Sequence, residues 1–232
     1  MKLCEYKDKG ITIEIYQFEL MDERMYVVKE RKEAFIIDPY EEVSLKDTLR
    51  DIEKINIFIT HEHFDHFSGV NWLKKQFVSN VTVYSSDICA NIMKSKNNKT
   101  EIFPLFFIRD KKLYQFVKHN YTFPCVCEAD VTFLKKKSFY WQKHKVEMFV
   151  TQGHSPGSSS MLLDSKYLFA GDALLGNGQE LKSIDACQQD FLETINKFEK
   201  ICNSNIMVFP GHGDYKQIKI IINKIKEFYG WN

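Results

Sequence analysis

The chain has 232 residues, of which 44% are hydrophobic, 14% aromatic and 27% charged, a composition that buries a core and excludes disordered and fibrous classes. Its 32 Lys and Arg stand against 31 Asp and Glu, so the overall balance carries no basic footprint for nucleic acid. The charged start MKLCEYKDKG lacks the apolar stretch of a signal peptide, no run approaches the roughly 20 apolar residues of a membrane span, and Cys4, Cys89, Cys125, Cys127, Cys187 and Cys202 are too sparse for a disulfide scaffold.

These features predict one cytoplasmic domain over residues 1–232 with reduced thiols. Its elements begin with β-rich runs at 11–18 (ITIEIYQF), 25–28 (MYVV), 34–38 (AFIID) and 55–60 (INIFIT), with a helical turn or two in SLKDTLRDIEK before the last. A helix is expected over 68–77, a strand over 81–84 and a helix over 87–95 capped by Ser86. Residues 96–128 break the pattern and read as an insertion dense in aromatics: Phe103, Phe106, Phe107, Tyr114, Phe116, Tyr121 and Phe123. Such a segment fits either an apolar cap over a site or a subunit contact, which leaves a homo-oligomer open. Strands follow at 146–152, 159–164, 167–172 and 206–211, and helices at 188–202 and 216–229. The first of these helices sets Phe191, Ile195, Phe198 and Ile201 at helical spacing as core.

The chemistry concentrates in FITHEHFDHFSG, directly after a buried-strand pattern, where His61, His63, Asp65 and His66 offer four metal donors within six positions. In extended chain, His61 and His63 leave on the same side and reach one ion, while the turn sends Asp65 and His66 toward a neighbouring one. His154 (TQGHSPGSSS), Asp172 (LFAGDAL) and His212 (VFPGHGD) share the setting of a strand running into a polar or Gly-rich loop. Each alone reads as a loop residue; with the first cluster they read as a set. Five of the seven histidines fall in these places, and His119 and His144, in or beside the insertion, are expected on the surface.

These residues make the chain resemble the metallo-β-lactamase superfamily, whose signature HxHxDH, later His, later Asp, final His is matched at all seven positions. The resemblance implies a four-layer αβ/βα sandwich, two mixed sheets face to face with helices outside and the active site at one edge. It implies one ion on His61, His63 and His154, a second on Asp65, His66 and His212, and Asp172 bridging them. Donors without thiolate suit zinc, with iron or manganese as alternatives. The implied activity is attack of a metal-bound hydroxide on a small-molecule thioester or ester, with Asp65 serving a poor leaving group. The GHSPGS, GD and PGHG loops are most similar to glyoxalase II-like proteins. A lactonase, a phosphodiesterase and a mononuclear iron persulfide dioxygenase share the scaffold and stand as alternatives.

Asp38, in IIDP, resembles the family's acidic residue that orients a ligand histidine, and it also fits a plain turn residue before Pro39. Cys125 and Cys127 have the spacing to chelate, yet no second pair completes a tetrahedral set, so they are expected as buried or loop thiols. Lys135 to Lys137 read as a solvated turn or an anion contact.

Overall fold

The computed structural model describes residues 1–8, 10–77, 80–175, 183–201 and 205–231. Strands β1 (Lys2–Asp8), β2 (Ile11–Phe18), β3 (Glu23–Glu30), β4 (Glu33–Ile37), β5 (Lys54–Phe58), β6 (Val81–Ser86) and β7 (Val131–Phe133) form one sheet in sequence order. Pairing is antiparallel from β1 to β4 and parallel from β4 to β7. The connections carry helices α1 (Leu45–Thr48), α2 (Phe64–Phe67), α3 (Val70–Gln76), α4 (Asp87–Met93), a 3₁₀ helix (Thr100–Phe107) and α5 (Lys111–Asn120). Strands β8 (Lys136–Trp141), β9 (His144–Val150), β10 (Ser159–Leu163), β11 (Tyr167–Gly171), β12 (Met207–Pro210) and β13 (Lys216–Gln217) form the second sheet, with only β11 and β12 parallel. Helices α6 (Gln188–Ile201) and α7 (Ile218–Tyr229) complete the order.

Period-two alternation divides the apolar side chains among three cores. In β3 and β4, Met25, Val27, Ala34 and Ile36 face the core beneath α1 to α5, whereas Tyr26, Val28, Phe35 and Ile37 face the second sheet and meet Met148, Met161 and Phe169 there. On the far side, Leu162, Leu168 and Val208 pack with Phe191, Ile195 and Phe198 of α6 and Ile221 and Ile225 of α7. The layers are therefore helix, sheet, sheet, helix, the expected αβ/βα sandwich. The central strands are covered on both sides, which is why they read as near-continuous apolar runs.

Several expectations need correction. The predicted helix over 68–77 is α3 (Val70–Gln76), and a separate turn that the sequence reading did not assign, α2 (Phe64–Phe67), precedes it; between them Gly69 passes so close to Tyr40 that a Cβ would lie 2.4 Å from its carbonyl carbon. Of the turn expected at Lys135 to Lys137, Lys135 lies in the bend ahead of β8 while Lys136 and Lys137 begin β8, an edge strand; the exposed Lys136 pairs with Glu147 of β9 at 2.6 Å. His144 is buried at 6% exposure, not on the surface: its Nδ1 lies 2.6 Å from Asp164 Oδ2 and its ring stacks on Trp141. His119 is exposed on α5 as expected.

Ser86 does cap α4, its Oγ accepting from the Cys89 N–H at 3.1 Å. Cys89 and Cys127 are buried and free, Cys125 is half-buried and free, and the reading of Cys202 falls outside the described residues. Among the described residues no helix is long and apolar enough to cross a membrane.

Candidate metal centre

The seven donors come from four strand ends on one edge of the sandwich. His61 and His63 follow β5, Asp65 and His66 sit on α2, His154 lies between β9 and β10, Asp172 follows β11, and His212 follows β12. The chain can turn inward at β11 because Gly171 takes φ +53° and leaves room that a Cβ would lose to Thr60 Oγ1 at 2.3 Å.

All seven side chains meet. His63 Nδ1 lies 3.0 Å from His61 Nε2 and 3.1 Å from His154 Nε2. Asp65 Oδ2 lies 3.7 Å from His66 Nε2 and 3.5 Å from His212 Nε2. Between these two sets stands Asp172, whose Oδ2 is 3.5 Å from His154 Nε2 and 3.5 Å from His212 Nε2, with Oδ1 3.6 Å from His66 Nε2. Three overlapping donor groups result: His61, His63, His154; His61, His66, Asp172; and Asp65, His66, His212.

The far nitrogens of four imidazoles are engaged. His66 Nδ1 donates to Asp38 Oδ2 at 2.9 Å, and His212 Nδ1 donates to the Met21 carbonyl at 2.9 Å. Thr60 Oγ1 donates to Asp38 Oδ2 at 2.6 Å and so accepts from His61 Nδ1 at 3.0 Å. Ser183 Oγ lies 3.3 Å from His63 Nε2. Outer contacts of this kind fix the tautomer and turn a lone pair inward. Asp38 is thus the orienting acid, at 1% exposure, its other oxygen accepting the Thr60 N–H at 2.7 Å.

The residues fit bound metal on three observations of the site itself. His61 Nε2, His63 Nδ1 and His154 Nε2 converge at about 3 Å, close enough to share one cation. Two buried atoms, His66 Nε2 and Asp172 Oδ1, have no hydrogen-bond partner among the described residues. Gly211 cradles the same pair, since a Cβ there would sit 2.1 Å from Asp172 Oδ1 and 2.7 Å from His66 Cε1.

The charges point the same way. Burial opposes charge on His212, yet Asp172 and Asp65 outweigh it and push the imidazole up to about 10. His66 is raised against burial by Asp65, Asp172 and Asp38. Burial, with the neighbouring imidazoles, instead lowers His61 far below its usual range, and burial together with the charge of His154 brings His63 down to about 4. Against burial, the charges of His66 and His212 hold Asp65 well below the usual carboxylate range. The carboxylates thus favour positive charge at His66 and His212, a charge that a dication would supply once the ligands shed their protons.

Two acids escape the sequence reading. Glu62, between the first two histidines, accepts from the Gly157 N–H and the Ser155 hydroxyl, each at 3.1 Å, and so clasps the loop of His61 and His63 to the loop of His154. Its signal is Gly157, where a Cβ would strike Glu62 Oε2 at 2.2 Å. Glu23 is fully buried, both carboxylate oxygens without a hydrogen-bond partner among the described residues, and burial with Asp38, Asp65 and Asp172 pushes it far above its usual range. Nothing in ELMDERMYVV marks it.

A family model described as the metallo-beta-lactamase superfamily matches residues 22–212, most of the chain and every one of the seven donors. The chain belongs to the metallo-beta-lactamase superfamily. As a member it is a metal-dependent hydrolase. It is 24% identical over 200 residues to a hydroxyacylglutathione hydrolase of Glaesserella parasuis, covering 85% of this chain and 68% of that one. It is 22% identical over 217 residues to a probable polyketide biosynthesis zinc-dependent hydrolase, BaeB, of Bacillus velezensis, covering 87% and 79%. Among solved structures, the metallo-beta-lactamase from Pontibacter korlensis superposes with a TM-score of 0.69 at 17% identity, over 97% of this chain and 98% of that one, a likeness of fold.

Proposed function

We propose that this superfamily hydrolase is dinuclear and cleaves a thioester or ester of a small molecule. His61, His63 and His154 would hold one divalent ion, Asp65, His66 and His212 the other, and Asp172 both, with zinc as the first metal and iron or manganese as alternatives. One observation carries the reading: Asp172 Oδ2 is equally distant, at 3.5 Å, from a histidine of each set. Two dications close together repel, and a shared carboxylate offsets that repulsion.

When bound, such ions lower the pKa of water toward neutrality and polarise an acyl oxygen. The protein's own part is to place and to protonate. Asp38, Thr60, Ser183 and the Met21 carbonyl hold the imidazoles in one tautomer, so the donors need no reorganisation during turnover. Asp65 is both a donor and a lining residue of the cavity, a place from which its carboxylate can take a proton and pass it to the leaving group. A thiolate leaves with little such help, and hydroxyacylglutathione, in the name of one relative, is itself a thioester.

The test is a panel of thioester, carboxylic ester, lactone, β-lactam and phosphodiester substrates beside a metal-stripped control. Thioester and ester turnover that vanishes on stripping and returns with zinc is expected. Turnover of the phosphodiester alone, or oxygen uptake with a single bound iron, overturns the proposal.

A further inference from the structure

A cavity of about 640 Å³ opens onto the donor cluster, within the range of small-molecule sites. His63, Asp65, Asp172 and His212 form one end of it. Its apolar wall is built by two segments distant in sequence: the 3₁₀ helix contributes Ile102, Phe103 and Phe106, and the stretch ahead of α6 contributes Ile184. Lys99 and Asp185 form an ion pair that joins the two segments.

The wall is anchored and yet unfilled. Phe103 is 3% exposed and packs on Phe64 with ring centroids 4.4 Å apart, so the 3₁₀ helix is keyed to the loop that carries His63 and Asp65. Ile102, Phe106 and Ile184 are instead 41%, 65% and 80% exposed, large apolar side chains left uncovered around the same cavity. Elsewhere in the insertion Phe107 and Val117 are buried in the core and Tyr114, Tyr121 and Phe123 pack against it, while Leu105, Ile108, Leu113 and Phe116 are exposed without lining the cavity.

Charge narrows the choice of ligand. Among the described lining residues Lys99 is the only Lys or Arg, and Asp185 takes its charge. Among the described lining residues this leaves no unpaired Lys or Arg to receive the carboxylates of a peptide-like thiol carrier.

The geometry points to an acyl pocket: the hydrolase proposed above, on whose reading this rests, takes thioesters with an apolar acyl group of several carbons, seated on Ile102, Phe106 and Ile184 with its carbonyl at the donor cluster. Water adds to the acyl carbon, the carbon–sulfur bond breaks, and the products are an apolar carboxylic acid and a thiol, which takes up the second proton of the water.

Two measurements on the full chain test this. The first is kcat/KM of the zinc-loaded enzyme on acetyl, butyryl, hexanoyl and phenylacetyl thioesters of N-acetylcysteamine and on lactoylglutathione. A buried methylene corresponds to about a fourfold gain, so the hexanoyl thioester is expected to exceed the acetyl by at least about tenfold. Phe106→Ala and Ile184→Ser should each lower that ratio several-fold. The second is saturation-transfer NMR of hexanamide and acetamide, neutral probes, with the metal-stripped protein; hexanamide alone is expected to bind, and Phe106→Ala to weaken it.

Hydrolysis with a flat acyl profile, or lactoylglutathione preferred tenfold over hexanoyl, overturns the acyl pocket and leaves the hydrolase reading standing. No thioester hydrolysis beside retained, Phe106-dependent hexanamide binding does the reverse. A change from oligomer to monomer in Phe106→Ala, with the hexanoyl-to-acetyl ratio intact, makes the wall an interface and also overturns the proposal.

Discussion

Asp38→Ala isolates the orienting shell from the donors. The carboxylate accepts three hydrogen bonds, from Thr60 N at 2.7 Å, Thr60 Oγ1 at 2.6 Å and His66 Nδ1 at 2.9 Å, all in a buried setting. Its removal leaves a backbone N–H, a hydroxyl and an imidazole N–H without their acceptor, each worth about 1–3 kcal/mol when unsatisfied. Asp38 also has φ +50°, a left-handed conformation that costs Ala about 1 kcal/mol. Relief of the buried charge offsets part of this, since burial raises the Asp38 carboxyl above its usual range even against His66 and Thr60.

A net loss of about 3–5 kcal/mol follows, the size seen when one partner of a buried pair is deleted. For a domain of this length that is roughly a 10 °C fall in Tm. Zinc affinity should fall about 10- to 100-fold because His66 loses its fixed tautomer. Asp38→Asn, which tolerates the positive φ, keeps an acceptor for one partner but turns an amide N–H toward others; it should recover part of the stability and little of the affinity. Thermal melts of metal-stripped protein and competition with a chromophoric chelator read the two effects. Unchanged zinc affinity in both variants would refute the orienting role.

Gly211→Ala should strip metal without unfolding the protein, because its Cβ would collide with Asp172 Oδ1 at 2.1 Å while Gly211 itself has no left-handed φ to lose; full zinc content in a folded variant contradicts this. His144→Ala should lower Tm by several degrees, through loss of the Asp164 and Glu30 contacts at 2.6 and 3.4 Å worth about 1–3 kcal/mol, while kcat per folded molecule and the Tm of His119→Ala stay as in the parent. Zinc titrated into metal-stripped protein at pH 7.5 should release protons, since His66 and His212 are raised in that state. The same shift makes apparent zinc affinity rise from pH 6 to pH 8, and calorimetry showing heats independent of the buffer's ionisation enthalpy would count against it.

The donor set was legible because its chemistry is local: four donors in THEHFDH and three at strand ends need only residue type and spacing. The cores were legible for a related reason, since strands covered on both faces print continuous apolar runs such as AFII and YLFAG. What escaped depends on contacts between distant segments. β1 and β8 are edge strands whose KLCEYKD and KKSFYW carry their charges toward water, so their pattern resembles a loop.

His144 reads as a surface residue in QKHK; only the fold brings Asp164 and Glu30 to it. Glu62 lies inside the motif yet acts through Gly157, far along the chain. The insertion divides for the same reason: its aromatics are alike in sequence, while position relative to the donor loop sends Phe107 inward and leaves Phe106 beside the cavity.

The central claim is that Asp172 joins two ions, and the direct measurement is metal content of natively purified protein by mass spectrometry, beside anomalous scattering from crystals of the parent and of Asp172→Ala. Two ions per chain flanking Asp172 are predicted in the parent, with Asp172→Ala losing occupancy and turnover together. One ion in a fully active parent, or two ions and full turnover in Asp172→Ala, would contradict the account.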